Sequence, residues 1–128
     1  MRLLLDSHAL IWWLENSPRL SAAARAGVAD PTNEVLVSAA SAWEIETKFR
    51  LGKLPGLAPM LVDLARTVAE EGFETLPITF QHGALAGRLD GEHRDPFDRM
   101  LIAQALVDDL VLVSNERLFD RFGVARLW

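Results

Sequence analysis

The sequence predicts an α/β fold with a mainly parallel sheet, and three observations carry that expectation. Short apolar runs alternate with helical stretches from end to end, each gap is long enough for a crossover, and runs such as Val111-Leu112-Val113 suit strands covered on both faces.

Residues 3–5 read as a first buried strand, with Asp6-Ser7 as a cap for an apolar helix over 8–14. A second helix over 21–29 is set off by Pro18 and stopped by Asp30-Pro31. Residues 34–38 are strand-like through Val35, Leu36 and Val37, and either Ser38 or Ser41 caps a helix running to Leu51, where Gly52 stops it. Residues 55–59 read as a turn, 60–71 as a helix closed by Gly72, and 73–77 as a strand. A helix over 79–89 carries Gly83 and Gly87 at some cost in propensity, and 90–94 is a polar loop. Then come a helix over 96–108, a strand over 110–113, a short helix over 116–122 and a last edge strand at 126–128. With 128 residues and no repeat or linker, residues 1–128 are expected to form one domain.

Composition narrows the chemistry. There is no cysteine, which removes disulfides, zinc ribbons and thiol catalysis, so any metal must be held by oxygen or imidazole. No apolar run approaches the roughly eighteen residues of a membrane span, and the start is strand-like rather than a basic and apolar leader. A soluble, cytoplasmic protein is the expectation. The net charge of −5 argues superficially against a nucleic-acid partner. Four of the eighteen acids, however, stand where the chain is otherwise apolar or about to turn: Asp6, Glu44, Asp98 and Glu116. Without them the chain is nearly balanced, and eleven of its thirteen bases are arginine, the better fork for phosphate.

Acids at the ends of core elements are costly unless paired or bound to a cation, so these four suggest one shared site. Asp6 and Glu116 fall just past expected strands and Glu44 and Asp98 lie early in helices, so all four can converge beyond the carboxyl edge of a parallel sheet, where ligands bind. An all-acid set suits Mg²⁺, and such ions stabilise the oxygens of a phosphodiester displacement. Each acid also has an ordinary reading. Asp6 is placed as well to cap a helix as to bind metal. Glu44 precedes Lys48 by four residues, the spacing of an ion pair worth a few tenths of a kcal/mol. Asp95 is a natural N-cap before Pro96, and Asp98 favours the same helix dipole. Glu116 is an acid at a helix start.

The motifs taken together resemble a family. Asp-Ser-His-Ala-Leu-Ile-Trp-Trp-Leu at 6–14, Ser-Ala-Ala-Ser-Ala-Trp-Glu-Ile at 38–45, Asp-Pro-Phe-Asp-Arg-Met-Leu-Ile-Ala-Gln-Ala at 95–105 and Leu-Val-Ser-Asn-Glu at 112–116 are similar to the PIN-domain ribonucleases, most strongly to the VapC-type toxins of bacterial toxin–antitoxin pairs. The resemblance implies a three-layer α/β/α sandwich, Mg²⁺ or Mn²⁺ at the acids, and endonucleolytic cleavage of RNA by metal-activated water. It also implies a homodimer blocked by a cognate antitoxin. Residue by residue, the family's acids fall on Asp6, Glu44 and Asp98, and the fourth, usually aspartate, falls on Glu116, one methylene longer.

On this reading Asp6 and Asp98 hold the metal most directly and Glu44 and Glu116 complete its shell through oxygen or water. Ser7, Ser114, Asn115 and Asp95 are supporting candidates beside them. Lys48, Arg94 and Arg99 are candidates for RNA phosphate contact because they neighbour the acids. His8 reads as a packing residue, and His82 and His93 as surface residues. Trp12 and Trp13 point about 100° apart on one helix, so one is expected in the core and the other at a second core position or an interface. Two other classes compete: a PIN-like RNA-binding module without turnover, and a Mg²⁺-dependent phosphatase or phospho-receiver. The last wants a late lysine or a second aspartate two residues after Asp6, where the chain has no lysine beyond Lys53 and has His8.

Overall fold

The computed structural model of the chain describes residues 1–91 and 93–128. Glu92, in the expected polar loop over 90–94, lies outside them. The strands are β1 (Arg2–Leu5), β2 (Glu34–Ser38), β3 (Glu74–Leu76), β4 (Val111–Val113) and β5 (Arg126–Leu127). The helices are α1 (Ser7–Leu14), α2 (Ala22–Ala29), α3 (Ala39–Arg50), α4 (Ala58–Leu61), α5 (Leu64–Glu70), α6 (Phe80–Arg88) and α7 (Pro96–Asp108). The strands run in the order β3-β2-β1-β4-β5, and every neighbouring pair among the described residues is parallel.

The pleat sorts the core onto two faces because successive strand side chains alternate. Leu3 and Leu5 of the central strand join Val35, Val37 and Val113 against Leu10 and Ile11 of α1 and Ala24 and Val28 of α2. Leu4 points the other way, with Leu36 and Leu112, onto Leu101, Ile102 and Ala105 of α7 and onto Phe119. The result is the expected three-layer α/β/α sandwich. Burial of each β1 leucine, all three without solvent exposure, contributes about 2 kcal/mol relative to leaving it in water.

Caps set where the helices begin. The Ser21 hydroxyl accepts the Ala24 N–H at 3.0 Å, and Ser38 accepts that of Ala40 at 3.0 Å, so Ser38 rather than Ser41 starts α3. Three expectations are corrected. The helix over 60–71 is two helices, because Asp63 leaves helical geometry and its carboxylate accepts the Arg66 N–H at 3.1 Å, offering the backbone an alternative to continuation. The turn over 55–59 is a 3-10 turn, Pro55–Leu57, that runs directly into α4. The short helix over 116–122 is a 3-10 turn, Arg117–Phe122, with Glu116 as its cap, ending at Gly123, whose φ of 76° suits glycine.

The topology decides where a ligand can enter. Successive crossovers carry the chain from β1 to β2 and β3 on one side, whereas β4 and β5 lie on the other. The carboxyl ends of β1 and β4 therefore flank the point at which strand order reverses. Trp43 of α3 and Phe97 of α7 meet edge to face at 4.9 Å, bracing the two helices that carry Glu44 and Asp98.

Candidate metal centre

Asp6 follows β1 directly and caps α1, its Oδ1 accepting the Ala9 N–H at 2.7 Å. It is 7% exposed. Burial raises its carboxyl above the usual aspartate range, against hydrogen bonding from Ser114 and Ala9, and the nearby Glu44 charge pushes the same way as burial. Both sequence readings of Asp6, cap and ligand position, thus describe one place.

Glu44 arrives from the second turn of α3 and is equally buried. The Ser7 hydroxyl donates to its Oε1, and Lys48 Nζ lies 3.0 Å from its Oε2. The i,i+4 ion pair is therefore present, but on the wall of a cavity rather than on open surface. Asp98 stands in the first turn of α7, which Asp95 caps by accepting the N–H groups of Phe97 and Asp98 at 2.9 and 3.3 Å. Its Oδ2 is 2.8 Å from His93 Nε2. Burial pushes the Asp98 carboxyl up to about 6, opposed by the His93 bond and reinforced by the charges of Asp95 and Glu44. Glu116, past β4, accepts the Leu118 N–H at 3.0 Å through Oε1, while its own N–H donates to Ser114 Oγ at 3.0 Å.

All four acids line one cavity of about 450 Å³, together with Ser7, Lys48, Asp95 and Asn115. Ser114 is fully buried beneath Asp6 and Glu116. Arg94 is exposed between His93 and Asp95 and is not part of the lining. Arg99 is a correction: its guanidinium turns away from solvent and donates to the carbonyls of Ala86, Leu89 and His93, so it ties the end of α6 to α7 and is spent as a phosphate fork.

The histidines are corrected too. His8 is exposed and lines the cavity instead of packing in the core, because it lies one step along α1 from the buried Ser7 and Ala9. His93 lines the cavity and bonds Asp98. His82 is 1% exposed, completing a capping box with Thr79 and bonding Asp108 at 2.8 Å. The Thr79-x-x-His82 spacing was a usable signal for His82; nothing in the local pattern marks His93. Trp12 and Trp13 are both half-buried: Trp12 packs between His8 and Trp128 beside the cavity, and Trp13 donates to Glu71 at 3.2 Å.

Among the described residues no three of these side chains are already drawn into a coordination cluster. The donor set nonetheless fits a hard divalent cation. It is all oxygen apart from the imidazoles, the Glu44 charge raises both Asp6 and Asp98, and among the described residues Lys48 is the one lysine or arginine on the wall to offset five acids. Asp98 and Glu116 each keep a carboxylate oxygen outside the contacts just described.

A family model for the PIN domain matches residues 3–125. Ribonuclease VapC16 of Mycobacterium tuberculosis is 43% identical over 75 residues, which cover 56% of this chain and 52% of that protein, so the match spans about half of the relative. Among solved structures, VapBC2 from Rickettsia felis bound to a promoter DNA fragment is similar with a TM-score of 0.71 at 14% identity, covering 98% of this chain and 97% of that one. FitAcB from Neisseria gonorrhoeae gives 0.67 at 19% identity, over 97% and 95% of the two chains. At such identities these structures speak for the fold.

Proposed function

The chain belongs to the PIN domain family, and from that premise we propose that it is a metal-dependent endoribonuclease, the toxin of a toxin–antitoxin pair, with residues 1–128 as one catalytic domain. The observation that carries the reading is the meeting of Asp6, Glu44, Asp98 and Glu116, drawn from four separate parts of the chain, in one cavity at the switch point of a parallel sheet. The partial match to a ribonuclease supports the choice of RNA.

Asp6 and Asp98 would hold Mg²⁺ or Mn²⁺ most directly, with Glu44 and Glu116 completing the shell. When bound, the cation supplies a Lewis acid that acidifies water and offsets charge on phosphoryl oxygens. The chain's own residues do the positioning. Ser7 and Lys48 hold the two Glu44 oxygens, Asp95 fixes the start of α7 beneath Asp98, and Ser114 supports both Asp6 and Glu116. Lys48 at the wall and Arg94 beside it are the cations left to meet RNA phosphate, with Asn115 exposed at the same rim. The antitoxin is proposed from the solved neighbours, two of which are VapBC structures, and the homodimer from the resemblance of motifs. A cytoplasmic place agrees with the finding that no helix among the described residues is long and apolar enough to cross a membrane.

The test is cleavage of a panel of RNAs by the purified chain. Cleavage should stop on chelation and return with Mg²⁺ or Mn²⁺, and Asp6→Asn and Asp98→Asn should each lower it by about a hundredfold or more. RNA binding without metal-dependent cleavage would favour the binding-module reading, and full activity in either variant would remove that acid from the site.

A further inference from the structure

His93 precedes α7 and is itself in neither helix nor strand, yet its side chain is only 13% exposed and its Nε2 is 2.8 Å from Asp98 Oδ2. Three contacts hold it there. Its ring meets Phe119 edge to face at 6.2 Å and tilts over Phe122 at 6.4 Å. Its carbonyl accepts from Arg99 Nη1 at 3.2 Å, and the same guanidinium is anchored by Ala86 O at 2.8 Å and Leu89 O at 2.6 Å. Two residues earlier, Gly91 has a φ of 121°, and a Cβ there would come within 3.2 Å of the Phe122 ring. Glycine is therefore what lets the segment lie close to the 3-10 turn.

We propose that His93 is a positioning residue for Asp98, delivered to it by a segment that Arg99 pins to α7. An ionised carboxylate has no proton to donate, so the imidazole supplies the N–H of this pair and occupies Oδ2. Asp98 is then held in one orientation with Oδ1 outside the bond, and a cation meets a carboxylate whose rotation is already restrained. Partners of this kind typically contribute ten- to a hundredfold to metal affinity. The inference rests on the metal-dependent reading of the cavity.

The test is Mn²⁺ titration calorimetry on the full chain, wild type against His93→Ala and His93→Gln, with circular dichroism to establish folding. His93→Ala should weaken Mn²⁺ by about tenfold. His93→Gln, which keeps an N–H donor, should recover much of that loss. In RNA cleavage at fixed Mn²⁺ the alanine variant should lose kcat with KM for RNA unchanged. If the alanine variant does not fold, the glutamine variant and histidine-selective ¹⁵N spectra of the metal-free wild type remain, the latter expected to show the proton of the His93 ring on Nε2. A His93→Ala chain that binds Mn²⁺ as tightly as wild type overturns the proposal alone. A glutamine variant as weak as alanine overturns it in favour of direct ligation by the imidazole. A wild-type chain that takes up no Mn²⁺ overturns the metal site itself.

Discussion

Asp98 stands in the first turn of α7 with its carboxyl pushed up to about 6 by burial, whereas in an unfolded chain the same group titrates near 3.8. Folding thus favours its protonated form. The stabilisation is complete below about 3.8 and is lost as pH rises through about 6. Asp6, raised by burial, moves the same way, while Asp30 and Asp120, lowered by their partners Thr32 and Arg126, act below that window. A cation needs the ionised carboxylates, so it works against this trend. Between pH 5 and 7.5 the Tm of the chelated protein should fall, and the rise in Tm produced by Mn²⁺ should grow. A Mn²⁺ effect larger at pH 5 would contradict the assignment of Asp98. The four acids could be picked out in the sequence because each stands where the chain is otherwise apolar or about to turn. His93 was not, since a segment between helices has no periodicity to say where it folds back. Arg99 misled for a related reason: a cation next to an acid looks free until its guanidinium is seen to be taken up by three carbonyls.

At the level of elements, the alternation of short apolar runs with capped helices was enough to place all five strands, with no end differing by more than one residue. Caps were read correctly where a polar residue met a proline or an apolar run, as at Asp95 and Asp6. The split between α4 and α5 was hidden because residues 60–71 are helix-compatible throughout, and the break depends on one side chain preferring its local N–H. Asp63 is exposed and touches nothing in the cavity, so Asp63→Ala isolates the cap. It should cost about 1 kcal/mol in urea unfolding without changing metal affinity. An unchanged midpoint would mean that packing of α5 through Val68, rather than the cap, ends α4.

Over the whole molecule, the strand order turns sequence distance into proximity. Asp6 and Glu116 are separated by most of the chain, yet they follow two strands whose paired residues, such as Leu5 and Val113, are neighbours. That pairing was not legible from the sequence, because periodicity names strands without ordering them. The same arrangement leaves a protein of net charge −5 with most of its excess in one cavity, so a divalent ion there would offset part of that excess. The most direct measurement is anomalous diffraction from crystals grown with Mn²⁺. The expected result is a peak inside the cavity, about 2.2 Å from a carboxylate oxygen of Asp6 and another of Asp98. A cavity without a peak at saturating Mn²⁺, or a peak held by other residues, would contradict the metal centre.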